Sequence, residues 1–306
     1  MSKASKFTKS TESTKSRTSK TVATVPTVKT ATVAAAAVVT ASSELPNFSQ
    51  SFVRIKKQVK TKKGMLVVGL PGVGFASKLA VDHLVSQLKA EHVATIYSPH
   101  FPNQVIATAK GGLRPFSLKF YHKKLNGKDI VFLRGDLQPL TVEGQYEVAA
   151  KALEYFHNSG GRSVIAMAGL VTQPQKTRGV YVSSTHKSEL RDLQQHTGIK
   201  KNKSFIPIVG MAGLIPTLAP LYGLRGSCML VETTGEPIDA VAAATLVEVV
   251  GKLVDKKIPI EKLKKKAEVA KQNFAKMMQQ QGGQPEQRAV PGTAIVTDKV
   301  SPTYIR

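Results

Sequence analysis

The chain has 306 residues, 42% of them hydrophobic, which is enough for one sizeable core and too much for a wholly disordered chain. Its single cysteine, Cys228, excludes an intrachain disulfide and fits a reducing, cytoplasmic setting, and no apolar run reaches the length of a membrane span. The formal net charge of +24 points to acidic partners and away from cationic ones.

Residues 1–63 hold 13 Lys/Arg against Glu12 and Glu44, so this end is about three times as charge-dense as the rest. Residues 1–50 are mostly Ser, Thr, Lys, Ala and Val without helical or strand period, and are expected to be a disordered, solvated tail. The make-up is Ser/Thr-rich and acid-poor like a transit peptide, but Arg17 is the only arginine before Arg54 and no amphipathic face is present. Non-specific contact with nucleic acid is the expected effect of this charge. The basic hinge Arg54–Lys63 is either an edge strand or a linker.

Met65–Val68 is a short apolar run that fits a buried strand. Gly69-Leu70-Pro71-Gly72-Val73-Gly74 breaks it, and Ala76, Leu79, Ala80, Leu84 and Leu88 then recur at helical spacing. With Ala94–Tyr97 as a second strand, this is a βαβ unit that should seed a parallel sheet. The loop lacks the lysine of a P-loop, because Phe75 stands in that place, and its glycines miss the dinucleotide spacing. A plain tight turn is expected, with an anion at the helix N-terminus as the alternative.

Further on, Val105–Ala109 and Phe116–Tyr121 read as a strand pair across Gly111-Gly112, and Asn126-Gly127 as a hairpin turn into the strand Asp129–Leu133. Thr141 should cap a helix whose stripe is Val142, Tyr146, Ala149, Leu153 and Phe156. Ser163–Met167, Val180–Val182, Ile206–Val209 and Ser227–Val231 read as strands, with helices over 187–196, 210–222 and 238–254. Alternating strands and helices predict an α/β sandwich over 64–258. Residues 259–281 form a separate amphipathic helix. Its apolar positions, Ile260, Leu263, Phe274 and Met277 among them, step by three and four, the spacing of a self-association seam or of a helix lying on its own domain. Residues 282–306 should be a flexible tail.

Strand ends carry Gly72, Gly74, Asp136, Gln138, Glu232 and Thr234, the candidate pocket of an open sheet. Asp136 and Glu232 could act as an acid/base pair or simply stabilise helix N-termini. His100, His186 and His196 lie in polar loops and helix ends, where solvated histidine is the usual outcome, and the seven histidines have no metal-ligand spacing. Cys228 lies inside an apolar strand pattern, as an inert buried thiol would. No catalytic residue, metal or cofactor is expected.

Taken together, several motifs are similar to those of the proteasome assembly chaperone 2 family, especially its archaeal members. They are Gly69–Gly74 with Lys78–Asp82, Tyr97–Pro102, Gly135–Pro139 with Glu143–Tyr146, Gly210–Leu214, and Glu232–Gly235 before Pro237 and Asp239, in order over about residues 64–270. The resemblance implies a three-layer α/β/α fold like that of nucleoside phosphorylases. It also implies a non-enzymatic, homo-oligomeric binding role on proteasome α-subunits or a related ring. The alternative is an enzyme or small-ligand binder using the strand-end pocket. Family members dock through a C-terminal hydrophobic–tyrosine–any tripeptide. Here Tyr304, Ile305 and Arg306 close the chain, with the tyrosine third from the end and Thr303 before it. That register predicts weak docking by the tail.

Overall fold

Local pattern and long-range pairing agree over most of the computed structural model, which describes residues 47–173, 178–263 and, beyond these, 265, 268, 269 and 272. The first half runs β1 (Phe52–Ile55), β2 (Gly64–Gly69), α1 (Ala76–Gln87), β3 (Glu91–Tyr97), β4 (Val105–Ala107), β5 (Leu113–Pro115), β6 (Leu118–Leu125), β7 (Lys128–Gly135) and α2 (Val142–Asn158). The second runs β8 (Gly161–Val171), β9 (Val180–Ser184), α3 (Lys187–Thr197), β10 (Lys200–Lys201), α4 (Met211–Leu218), β11 (Arg225–Thr233) and α5 (Ala240–Leu253).

The main sheet has the order β1-β3-β6-β7-β2-β8-β11-β9-β10. At its centre β7, β2, β8 and β11 run parallel. Alternate residues of these strands feed two cores. Val67, Phe132, Ile165 and Val231 pack with Leu84 of α1 and Leu246 of α5. Leu66, Val68 and Leu133 pack with Leu153 and Phe156 of α2 and Ile215 of α4. The result is the expected three-layer α/β/α sandwich, both sheet faces being apolar because both are covered.

Some expectations need correction. The first βαβ unit does not pair its own strands. The Asn126-Gly127 turn, with φ of 50° and 75°, folds β6 onto β7, and this hairpin lies between β2 and β3. The Gly111-Gly112 turn joins β4 to β5 in a separate small hairpin, while the following strand, β6, enters the main sheet. Residues Ile206–Val209 form no strand, since Pro207 lacks the donor a ladder needs. The basic hinge is ordered: β1 is an antiparallel edge strand on β3, and Val59 is buried.

In α2, Thr141 caps as expected, accepting from Gly144 N at 3.0 Å. The buried stripe, however, is Val148, Ala149, Ala152, Leu153 and Phe156, while Val142 and Tyr146 are exposed. Leu263 is fully buried in the domain's own core, and Ile260 packs against it. Of the proposed seam, these two positions therefore face inward, and Phe274 and Met277 lie outside the described residues. So do the expectations for residues 1–46 and 282–306, including Tyr304, Ile305 and Arg306.

Candidate functional site

The four parallel strands end side by side, and ligands of open α/β sheets sit at such an edge. After β2 the chain turns through Gly72, Val73, Gly74 and Phe75. Gly74 has φ +65°, and a Cβ there would stand 2.7 Å from Thr233 Oγ1. Only glycine lets the loop approach the end of β11 this closely. The contact is fastened by Asp239 N, which donates to Gly74 O at 2.8 Å. Gly72, by contrast, is extended and has open space where a Cβ would lie.

Asp239 organises this edge. Its Oδ1 accepts from Val241 N at 3.0 Å and Ala242 N at 2.9 Å, capping α5. Its Oδ2 accepts from the Thr233 hydroxyl at 2.9 Å and from Thr234 N at 3.4 Å, and the Arg178 guanidinium lies 3.2 Å away. The carboxylate is buried, so the helix N-terminus and the arginine together offset its desolvation. Sequence reasoning did not place Arg178 or Asp239 in the site. An aspartate directly before an alanine-rich helix is a legible N-cap signal. Nothing local marks Arg178.

Gln138 joins three loops. Its Nε2 donates to Pro71 O at 2.6 Å, and its Oε1 accepts from Met211 N at 2.9 Å, at the start of α4. Glu232 is buried and accepts from Gly179 N at 2.7 Å and the Tyr181 hydroxyl at 3.0 Å. That hydrogen bond pushes the Tyr181 phenol up from its ordinary value. Asp136 is held by both guanidinium nitrogens of Arg114, at 2.5 and 2.9 Å. Burial opposes its ionisation, but Arg114 with Lys78 and Lys119 together outweigh burial and hold the carboxyl below the usual range.

The structure thus gathers Gly74 and Thr234 around Asp239, with Gln138 tying neighbouring loops. Asp136 and Glu232 line two separate cavities, of about 220 and 560 Å³, on strands separated by β2 and β8. Each carboxylate already has its own donors. His100 is no solvated loop residue: its Nε2 meets Glu147 Oε2 at 3.0 Å and its Nδ1 meets the Thr141 hydroxyl at 3.1 Å. Cys228 is a buried thiol, pushed up to about 12 by desolvation.

A third opening, about 570 Å³, lies on the α2/α4 face and is lined by Tyr146, Ile206, Ile208, Leu214 and Pro216. Gln145, Ser183, Ser184, Thr185 and Thr217 also line it, and it is open to solvent. Phe205 is 99% exposed, Val142 67% and Tyr146 52%, with Val209 also exposed. Sequence reasoning missed this face because Val142 and Tyr146 fit the helix stripe and 206–209 resembled a strand.

Comparisons with known proteins match most of this domain. The sequence model of the PAC2 family matches residues 66–278. An uncharacterised protein of Methanocaldococcus jannaschii is 30% identical over 225 residues, 73% of this chain and 86% of that protein. The crystal structure of Pyrococcus furiosus PbaB, described as an archaeal proteasome activator, aligns with TM-score 0.68 and 27% identity over 75% of this chain and 99% of that one. Pyrococcus furiosus PbaA, described as an archaeal homolog of proteasome-assembly chaperone, aligns with TM-score 0.63 and 26% identity over 75% and 97%.

Proposed function

Because the chain belongs to the PAC2 family, we propose that it is a protein-binding assembly factor for proteasome-like rings, acting on their α-subunits. The similarity to PbaB and PbaA supports the proteasome-related role. The observation that carries the binding surface is the group of exposed apolar side chains at the mixed polar and apolar groove on the α2/α4 face. A phenylalanine left 99% exposed beside Ile206 and Ile208 has no role in the chain's own core. Burying one such side chain against a partner contributes roughly 1.5–3 kcal/mol, so a few of them can anchor an interface. The strand-end residues Gly72, Gly74, Gln138 and Thr234 are read as the scaffold that holds the loop before α4 in place, Gln138 directly at Met211. Self-association is part of the same proposal, through the heptad-spaced apolar positions of residues 264–281.

The test uses the full chain and cognate proteasome α-subunits in surface plasmon resonance at two salt concentrations, since a +24 chain attracts acidic surfaces generally. Specific binding should persist at the higher salt. Phe205→Asp with Tyr146→Asp should weaken it at least about tenfold, with unchanged circular dichroism. Binding that the double variant leaves intact removes the groove. No salt-resistant binding to α-subunits removes the assembly reading.

A further inference from the structure

The face of the sheet that carries α1 is only partly covered. The helix packs on β2, β7 and β8, and Lys119, Tyr121 and Lys123 on β6 stay half-buried beside it. In register, Lys119 stands directly opposite Arg134 on β7, and on its other side opposite Thr95, which faces Arg54 on β1. Like charges directly opposite each other destabilise a strand pair unless something neutralises them.

The neutralisation present is incomplete. Arg134 and Lys78 share Asp82, each at 2.9 Å, and Arg114 takes both oxygens of Asp136. Arg134 also stacks over the Tyr121 ring at 4.8 Å. Lys119 has no ion pair among the described residues. Burial, with Arg114 and Arg134 close by, pushes its ammonium group down from the ordinary lysine value. These side chains line the 220 Å³ cavity together with Ser117 and Gly135. Ser117 is 3% exposed. The cavity wall thus carries four cations against two carboxylates, with one serine beside them.

We infer that this cavity binds a phosphate-class oxyanion, held by Lys119 and the Ser117 hydroxyl and flanked by Arg114 and Arg134. Such an anion accepts several charge-assisted hydrogen bonds at once and relieves the Lys119–Arg134 repulsion. The wall is polar, so the phosphate group itself, rather than an apolar ligand body, is what the cavity fits. The group could be a free oxyanion or a phosphate of a polynucleotide running over the adjoining basic, aromatic sheet face of Arg54, His92 and Tyr121. The inference does not depend on the assembly role.

The experiment is isothermal titration of the full chain with sodium pyrophosphate and, separately, with a short single-stranded RNA, at low and moderate chloride. Pyrophosphate should bind one to one. Lys119→Met should weaken it about tenfold or more, whereas Lys123→Met, on the same strand face outside the cavity, should leave it unchanged. Thermal melts establish that both variants fold. RNA binding with the same Lys119 dependence, in competition with pyrophosphate, identifies the polynucleotide as the source. A response to pyrophosphate alone identifies a small oxyanion. Binding to neither, equal binding by Lys119→Met and wild type, or equal losses in the two variants overturns the site.

Discussion

Gly72 and Gly74 stand two residues apart in one loop, yet only Gly74 has a backbone that demands glycine. Its φ is +65°, and a Cβ would press on Thr233 Oγ1 at 2.7 Å. Gly74→Val should therefore cost about 3 kcal/mol, from strain and overpacking together. Gly72→Ala should change stability by no more than about 0.5 kcal/mol, because Gly72 is extended and its Cβ position is empty. Urea denaturation of both variants checks this, and equal losses would contradict it. The sequence marks both glycines alike, as turn formers. The difference between them comes from β11, whose end lies over Gly74 and not over Gly72.

At the scale of elements, the sequence located α1 to α5, but not always the face each buries. In α2 the first positions fit the same stripe as the rest, yet Val142 and Tyr146 remain exposed. The helix that starts after Pro259 shows the converse. Its spacing suits a seam between chains, but Leu263 is fully buried against the chain's own core. Leu263→Glu should then destabilise the fold by about 3–5 kcal/mol, through a buried unpaired charge. Paired thermal melts and sedimentation runs check it. A variant that keeps its melting temperature and merely sediments as a smaller species would contradict the packing.

The described domain is a mixed sheet whose parallel centre is covered on both sides and whose edges are short. The opening amides of β2, β7, β8 and β11 therefore have neighbours on both sides and helices above and below. Native-state hydrogen exchange should be slowest in those four strands and fastest in the β4–β5 hairpin and β10. Uniform protection across the sheet would contradict this layout. Strand order also sets the electrostatics. Lys119 meets Arg134 because β6 folds back onto β7, and Asp136 is neutralised by an arginine 22 residues earlier in the chain.

By itself the sequence determined where most strands, helices and turns lie, because periodicity, caps and turn residues act within a few neighbours. The Asn126-Gly127 turn, the Thr141 cap and the buried run Met65–Val68 were all legible on that ground. The motifs Gly69–Gly74, Gly135–Pro139 and Glu232–Gly235 also carried the family, since they are short and contiguous. Only the tertiary structure decided that β6 and β7 separate β3 from β2, that Arg178 reaches Asp239, and that Phe205 stays outside the core. Those outcomes depend on which surfaces remain once the whole sheet has been ordered and covered. No local window holds that information, because the partner that satisfies a charge or buries a ring lies far away in the chain.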